Sequence, residues 1–525
     1  MIARQSTVVL MDNILGALQG FLALFVIARY MGDQVLGERA FALALVSLVG
    51  IVARLGLPTT HVRRLARGED VGASNGAFLQ LKAGLTALFM VLAGLAAFAW
   101  FELLHKGTSD TTPFALWVAF WIVVVQSLRD VPVATFQGLR YIVEREAVLF
   151  TNTVVTVVLT VLAGIAYADS HGRWSPLPDF GHSVANLLGV HAPMSPDSGV
   201  ALLMLAFFAG EVAAFLLAIA LFARRRIPIR RPARGLMPEY LRFTVPLMLL
   251  AVGEVCTKWL SQVLLGFWWD AATLGQFAAA AKLSELFLLL GSSLAIVLLP
   301  AISLLHAQGD EGGVLRVVRD VERWTSLLLW PVIVLVVWAN GPLVHILLSD
   351  RFARAGPVLV ILCLQALATS LLMPVQNLAI ASGKPGFAAR VILASVGVGF
   401  LLNLGLVPDR LGPLPALGLD AVGAALAALG ATLFALVAYS VRTRGWAGHS
   451  FVQKHLGLHV LAAAVTLGLL VLLRIPLPGR FFQLPLYALG IAAAYALLLS
   501  AFGELRREDW RRFAALLSPQ TAKKP

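Results

Sequence analysis

Long apolar runs dominate the chain and recur at short intervals from one end to the other. A helix that crosses the hydrocarbon core needs about 20 consecutive apolar residues, whereas a strand of an outer-membrane barrel shows about ten residues of alternating polarity. The runs in this chain are continuous, so they predict transmembrane helices. We predict fourteen spans, at about 7–30, 36–57, 77–104, 113–138, 147–168, 200–222, 241–266, 274–303, 325–347, 357–380, 387–408, 418–440, 455–473 and 483–502.

Composition supports this fold class, an all-α polytopic membrane protein. Of 525 residues, 59% are hydrophobic and 13% are charged, whereas about a quarter of the residues in a soluble domain are charged. The first run has the length of a span and lacks a small-residue cleavage motif, so we expect it to remain as the first helix. Cys256 and Cys363 both lie in apolar runs, and we predict neither a disulfide framework nor a metal site.

The formal charge of +13 is distributed unevenly. Segments predicted to lie inside carry about three times as many Lys and Arg residues as segments predicted outside. This bias predicts an inner-membrane protein with both termini in the cytoplasm, and it assigns the basic surplus to anionic lipid rather than to nucleic acid. The basic amphipathic stretch at 503–517 is expected to lie along the inner membrane surface.

An internal repeat relates segment 7–70 to segment 244–310. Polar, glycine and proline residues match in pairs: Asp33 with Asp270, Gly37 with Gly275, Pro58 with Pro300, and Gly68-Glu69-Asp70 with Gly309-Asp310. A second match further along the chain pairs Pro132 with Pro374. The copies begin six spans apart, so they enter the membrane in the same direction and predict two parallel six-helix lobes around a midplane cavity. The predicted units are an N-terminal lobe at 1–222 with an outside insertion at 169–199, a basic linker at 223–240, a C-terminal lobe at 241–444, two added helices at 455–502 and a basic tail at 503–525.

The insertion at 169–199 is rich in proline and histidine. It is either a partly ordered cap over an external mouth or a tolerated surface insertion. Its histidine spacings match no metal-binding pattern.

Four charged residues inside predicted helices 7 and 8 form the strongest candidate site. Glu254 and Lys258 are spaced i and i+4, and Lys282 and Glu285 are spaced i and i+3, so each pair shares one helix face at a similar depth. One reading is a self-neutralising quartet that holds the two helices together. The other is a hydrated cavity in which the lysines bind an anionic group and the carboxylates bind H⁺ or Na⁺.

Other intramembrane charges are secondary candidates. Arg54, Lys82 and Arg129 lie toward the cytoplasmic ends of their predicted helices, where extension of the side chain to the interface would account for them, although each is also a candidate cavity residue. Asp130 is a candidate partner of Arg129, although adjacent residues of a helix do not face one another. Asp12, Glu211 and Asp130 are further ion-coupling candidates, and packing explains Asp12 and Glu211 equally well.

Several stretches resemble the multidrug/oligosaccharidyl-lipid/polysaccharide exporter superfamily, in particular its polysaccharide-biosynthesis branch, which includes O-antigen flippases. The first is the entry into helix 7, at 242–283, and the second is the FQG turn after helix 4, at 136–152. The third is the succession of GK, N, LVP and GAA through helices 10 to 12, at 378–408 and 418–444. The resemblance is diffuse but covers nearly the whole chain. The insertion at 169–199 departs from the compact family pattern.

The resemblance implies a secondary transporter that moves a polyprenyl-pyrophosphate-linked oligosaccharide from the inner to the outer leaflet by alternating access, with an ion gradient and no bound cofactor. Glycan polymerases or ligases are the candidate protein partners. The alternatives are a lipid II flippase, a multidrug cation antiporter of the same superfamily, and a membrane sugar-lipid enzyme. The chain has no Walker motif, and no outside loop is long enough to form a catalytic domain, so we predict a transporter rather than an enzyme.

Overall fold

The computed structural model is almost entirely helical. It describes residues 16, 19–54, 56–99, 112–173, 178–190, 192–232, 235–296, 302, 305, 308–448 and 454–505. In chain order the helices are α1 Gln19–Met31, α2 Asp33–Val49, α3 Ile51–Arg54, α4 Leu57–Ala66, α5 Val71–Phe98, α6 Thr112–Gly138, α7 Ile142–Ser170, α8 Pro178–Leu187, α9 Pro196–Arg224, α10 Leu236–Trp268, α11 Ala271–Ile296, α12 Glu311–Leu347, α13 Ala355–Ala381, α14 Pro385–Leu406, α15 Asp420–Ala447, α16 Lys454–Leu472 and α17 Gln483–Ala501. A short hairpin of β1 Arg410–Leu411 and β2 Leu414–Pro415 joins α14 to α15.

The described helices match the predicted membrane architecture. Eleven are long and apolar enough to cross a membrane, and a twelfth span results if α2 and the segment Ile51–Ala66, bent by 49°, are counted together. The two remaining predicted spans correspond to α1 and α11, which adjoin residues outside the described ranges. The polytopic helical fold is therefore confirmed, whereas the count of fourteen stays a prediction.

Several helices extend beyond the apolar runs that predicted them. Helix α5 begins at Val71 rather than near 77, and α12 begins at Glu311 rather than near 325. In each case an aspartate just before the helix accepts a hydrogen bond from a backbone amide three residues later, Asp70 from Ala73 and Asp310 from Gly313. A capping side chain satisfies an otherwise unpaired amide, so the cap rather than the apolar run sets the start of the helix.

These two caps are equivalent positions of the predicted repeat. Gly68 and Gly309, which precede them, both have the positive φ angle that glycine tolerates, +80° and +74° respectively. Pro132 and Pro374, a second predicted pair, both lie inside helices, α6 and α13. Local structure therefore repeats at these three pairs of anchors.

Packing divides the helices into two groups. Helices α5, α6, α7 and α9 pack against one another, as do α11, α13, α14 and α15. Helix α2, which packs on α6 and α9 of the first group, also packs along α11 and along α10, which itself packs on α14 and α15 of the second group. This arrangement places α10 and α11, which carry the strongest candidate residues, at the junction of the two groups.

The first turns of α10 are held by the first group through a buried polar cluster. The hydroxyl of Thr244 lies 2.8 Å from that of Thr60, and the hydroxyl of Tyr240 lies 2.9 Å from Nδ1 of His61. Burial raises the pKa of Tyr240 to about 12, so its phenol is a neutral hydrogen-bonding group at physiological pH. The cluster fixes one end of α10 to α4.

The last two helices pack on α12. Their main polar anchor is Glu504, just after α17, which accepts a hydrogen bond from Nε of Arg323 at 2.7 Å and lies 2.5 Å from Nδ1 of His455. The Glu504 side chain is only 4% exposed. The anchor therefore ties the end of α17 to α12 and α16.

The insertion at 169–199 contains a folded element. Helix α8 packs on α7 through Val184 and Ala185, which contact Ile165 and Ala166. Nδ1 of His182 lies 2.8 Å from the Asp169 carboxylate. The described part of the insertion thus covers the end of its own helix, and its role as a cap over a mouth stays a prediction.

Candidate substrate and ion-coupling site

Three of the four predicted residues on α10 and α11 form one ion-paired group. Nζ of Lys282 lies 2.6 Å from Oε2 of Glu285, and Nζ of Lys258 lies 3.4 Å from Oε1 of the same carboxylate. A single carboxylate thus links cations from two helices. We call Lys258, Lys282 and Glu285 the cationic triad.

Glu254 does not join the cationic triad. Its side chain is exposed, and it makes no ion pair or hydrogen bond to any described residue. Lys258 leans across to α11 instead of pairing with Glu254 on its own helix. The expected quartet is therefore a triad with a formal charge of +1 and a separate carboxylate one turn away.

The cationic triad is not enclosed by protein. The side chains of Lys258, Lys282 and Glu285 are 56%, 46% and 41% exposed. Charges with this exposure in the middle of a membrane helix need water or a polar ligand, because an isolated charge in hydrocarbon costs several kcal/mol. The triad therefore has access to a polar medium or ligand.

Helix α1 lies opposite the triad. A Cβ atom added to Gly20 would be only 2.8 Å from Cε of Lys282. Gln19, beside it, donates a hydrogen bond to the carbonyl of Thr153 on α7 at 2.9 Å. Because α1 is tied to the first group in this way, Lys282 reaches across the junction between the two groups.

Lys82 and Asp130 pair inside the first group. Lys82 is fully buried, and its Nζ lies 2.8 Å from Oδ2 of Asp130 and 3.0 Å from the carbonyl oxygen of Ala53. Extension of Lys82 to the membrane interface, the first account from sequence, is therefore wrong. Two partners within the helix bundle satisfy the ammonium group.

Arg129 also has a partner on another helix. Its Nη1 donates to Oε2 of Glu211 on α9 at 2.6 Å, and Gln126 donates to Oε1 of the same carboxylate at 2.8 Å. The pairing of Arg129 with Asp130, and its extension to the interface, are therefore both wrong. Adjacent residues point to different sides of α6, so Arg129 faces α9 while Asp130 faces α5.

These two pairs neutralise four of the secondary candidates within the helix bundle. Arg54 ends α3, but its side chain lies outside the described residues, as does Asp12 as a whole. Among described residues, no cluster of three or more His, Cys, Asp or Glu side chains could hold a metal ion. The cationic triad remains the candidate charge group that opens onto the junction.

Helices α2 and α11 make a close contact at the ends that are predicted to lie outside, and the sequence analysis did not predict it. A Cβ on Gly37 would collide with the carbonyl of Ala271, and a Cβ on Gly275 would collide with the carbonyl of Asp33. Nε2 of Gln276 also donates to Oδ2 of Asp33 at 3.0 Å. The two helices therefore approach to backbone contact.

The signal for this contact was present in the repeat. Gly37 and Gly275 are matched anchors, and each meets the residue four positions before the other. Reciprocal contact of this kind arises where equivalent elements meet at a two-fold axis. Matched glycines in duplicated helices thus predict where the two copies touch.

The chain is similar in sequence to proteins of polysaccharide and glycan biosynthesis. Residues 183–357 match a family model described as polysaccharide biosynthesis protein. A probable low-salt glycan biosynthesis flippase, Agl15 of Haloferax volcanii, is 21% identical over 407 residues, which cover 77% of this chain and 78% of the relative.

Solved structures share the fold. The lipid II flippase MurJ in an inward closed conformation aligns with a TM-score of 0.70 at 13% identity, over 95% of this chain and 98% of its own. A multidrug resistance MATE family transporter of the MOP superfamily aligns with a TM-score of 0.59 at 13% identity, over 82% of this chain and 95% of its own. The resemblance inferred from sequence is confirmed: the chain has the fold of the multidrug/oligosaccharidyl-lipid/polysaccharide exporter superfamily.

Proposed function

We propose that the protein is a flippase that moves a polyprenyl-pyrophosphate-linked oligosaccharide from the inner to the outer leaflet by alternating access. The observation that carries this proposal is the half-exposed cationic triad at the junction of the two helix groups. The names of Agl15 and MurJ, both flippases, give independent support. The proposal includes residence in the cytoplasmic membrane with both termini inside, and cooperation with a glycan polymerase or ligase.

The charge of the triad suits a pyrophosphate. A phosphate group in a medium of low dielectric constant needs compensating positive charge, and ammonium groups bind phosphate oxygens through charge-assisted hydrogen bonds. Glu285 neutralises one of the two lysines, so one positive charge is left for a ligand. Competition between Glu285 and the phosphate would also allow release, because the carboxylate can take the lysines back.

Alternating access is supported by the contact between α2 and α11. Lys282 of the triad lies seven residues after Gly275 on α11, so the two residues are about 10 Å apart along the helix axis at 1.5 Å per residue. The contact therefore lies between the triad and the predicted outside, where closure of the two groups on each other would bar the outward route. Separation of α2 from α11 would open that side, as rocking of one lobe against the other requires.

Ion coupling is assigned to Glu254 and Glu285. Glu254 is accessible and has no protein partner among described residues, so its carboxylate can take up H⁺ or Na⁺ without breaking an existing bond. Glu285 would couple the ion to the substrate, because its protonation frees both lysines. The ion and the pyrophosphate would then use neighbouring groups.

The experiment is a flipping assay in vesicles with a fluorescent polyprenyl-pyrophosphate oligosaccharide. We expect Lys258→Ala/Lys282→Ala to lower the outward rate at least about tenfold, because loss of about 1.4 kcal/mol of binding in the transition state lowers a rate tenfold. Lys384→Ala, an exposed lysine between α13 and α14, is the matched control and should retain the wild-type rate.

The assay also separates the alternatives. Wild-type rates in the double lysine variant would contradict the proposal. Efflux of an organic cation that survives the lysine substitutions and requires Glu254, without lipid flipping, would instead identify the cation antiporter that the MATE-like fold allows. Stimulation by an imposed Na⁺ or H⁺ gradient in the wild type, lost in Glu254→Gln, would identify the coupling ion.

A further inference from the structure

A cleft between α14 and α15 is separate from the cationic triad. Its volume is about 340 Å³, which falls within the range of small-molecule sites. It lies where α14 begins and α15 ends, which is the cytoplasmic side if orientation follows the charge bias. Its lining residues are Phe387, Arg390, Val391, Ala394, Phe434, Ala438 and Arg442.

Two arginines, one from each helix, line this cleft. Arg390 and Arg442 are both exposed, and neither forms an ion pair with any residue that the structure describes. The hydrogen bond of Arg390 is from Nε to the carbonyl of Gly386 at 3.3 Å, which leaves its terminal nitrogens for a ligand. Arginine presents a planar set of donors that matches phosphate oxygens.

The two helices that form the cleft supply no competing carboxylate at these ends. From Arg351 to Gly503 the acidic residues are Asp409 and Asp420, both at the opposite ends of α14 and α15. The ends that form the cleft therefore carry an unbalanced positive charge. A surplus of this kind beside a membrane attracts anionic lipid headgroups.

The cleft opens away from α10. Ile392 packs close to Gly253 of α10, and Asn403, three turns later on the same face of α14, donates to Ser261 of α10. Arg390 and Ala394 are each two residues from Ile392, and residues two apart lie on nearly opposite sides of a helix. The cleft is therefore on the outer side of the bundle, away from the candidate site.

An apolar surface continues from the cleft toward the membrane centre. Leu401, two turns beyond Ala394 on α14, is 67% exposed, and Val437 beside Phe434 on α15 is 59% exposed. Exposed apolar side chains on a membrane helix face lipid chains. Within the cleft, the ring of Phe387 makes an edge contact with the ring of Tyr439, and the two ring centroids are 5.1 Å apart.

We propose that this cleft binds one anionic phospholipid from the leaflet on its side of the membrane. Arg390 and Arg442 hold the phosphate headgroup, and an acyl chain lies along Ala394, Phe434 and the surface beyond them. A free phosphate ion would contact the two arginines but would gain nothing from the apolar walls. The bound lipid would join α14 to α15 at the edge of the second helix group.

The test is native mass spectrometry of the full chain released from nanodiscs that contain palmitoyl-oleoyl phosphatidylglycerol and the matching phosphatidylcholine. The wild type should retain one phosphatidylglycerol in preference to phosphatidylcholine. Arg390→Gln/Arg442→Gln should weaken this retention about 30-fold, because each basic residue near the surface contributes about a fivefold effect. Arg319→Gln, an exposed arginine on α12 outside the cleft, should change it less than about twofold.

A second pair of variants tests the shape of the cleft without changing its charge. Ala394→Trp should fill the cleft and abolish selective retention, whereas Leu497→Trp, at a 69% exposed position of α17 outside the cleft, should not. Equal retention of the two lipids by the wild type, or undiminished phosphatidylglycerol binding in the double arginine variant, would overturn the proposal. Displacement of phosphatidylglycerol by inorganic phosphate alone, or preferential occupation by a polyprenyl pyrophosphate, would also overturn it.

Discussion

At the residue scale, partner choice separates the intramembrane charges into two kinds. Lys82 is buried and Arg129 is only 13% exposed, and they pair with Asp130 and Glu211, whereas Lys258 and Lys282 share Glu285 and stay half exposed. A buried pair satisfies its own charges and is costly to break from one side. The exposed triad can exchange partners, so its lysines are the stronger candidates for ligand binding.

The buried Lys82–Asp130 pair gives the first stability prediction. Lys82→Met should destabilise the protein by about 3 kcal/mol, because it leaves the Asp130 carboxylate without its partner inside the bundle. Lys82→Met/Asp130→Asn should recover most of this loss and keep transport within about twofold of the wild type. Thermal unfolding in detergent measures the first effect, and the vesicle flipping assay measures the second.

Lys258→Met is the matched control for that experiment. Its side chain is 56% exposed, so the same substitution should cost less than about 1 kcal/mol. If Lys82→Met were as stable as Lys258→Met, the buried pair would not hold the bundle. Loss of transport in a stable double variant would return Lys82 to the functional candidates.

At the element scale, one carboxylate is the main polar attachment of α16 and α17 to α12. Burial alone would raise the pKa of Glu504, but hydrogen bonds from His455 and Arg323 and their positive charge outweigh burial and lower it. Because the folded pKa is depressed, the stabilisation is present above the ordinary carboxyl pKa and is lost as pH falls through the folded value. Acid should therefore loosen the hairpin.

Substitution of this carboxylate should imitate the effect of acid. Glu504→Gln should lower stability at neutral pH by about 2 kcal/mol, the scale of a hydrogen bond to a charged group. The difference from the wild type should shrink at pH values below the ordinary carboxyl range, where both side chains are neutral. Thermal unfolding across pH, with hydrogen exchange of α16 and α17, measures both.

Asp350→Asn is the control for this substitution. Asp350 also lies 2.5 Å from a histidine nitrogen, that of His345, but its side chain is 87% exposed. An exposed pair contributes little to stability. Equal effects of Glu504→Gln and Asp350→Asn would contradict the anchoring role of Glu504.

At the scale of the whole molecule, matched glycines let the two helix groups meet. Neither Gly37 nor Gly275 has room for a Cβ, because each faces a backbone carbonyl of the other group. Any larger residue must separate α2 from α11. The contact is therefore a specific point at which a small substitution should shift a conformational equilibrium.

Gly37→Ala should favour a state in which these ends are apart. Spin labels at Leu187 on α8 and Leu414 in the β hairpin, 77% and 64% exposed, lie on the two helix groups at the predicted outside. Their distance distribution should move toward longer values in Gly37→Ala. Gly397→Ala is the control, because nothing lies within 4 Å of its added Cβ, and a shift in both variants or in neither would contradict the gating role of the contact.

The sequence by itself determined the helical membrane fold and the duplicated anchors. Apolar length reports on the membrane directly, and caps such as Asp70 and Asp310 act on residues only three positions away. Only the tertiary structure decided which charges pair. Arg129 and Glu211 lie 82 positions apart, and their meeting depends on the rotation of α6 and α9 about their axes. Hydropathy specifies that a helix crosses the membrane but leaves that rotation open, whereas packing between helices fixes it.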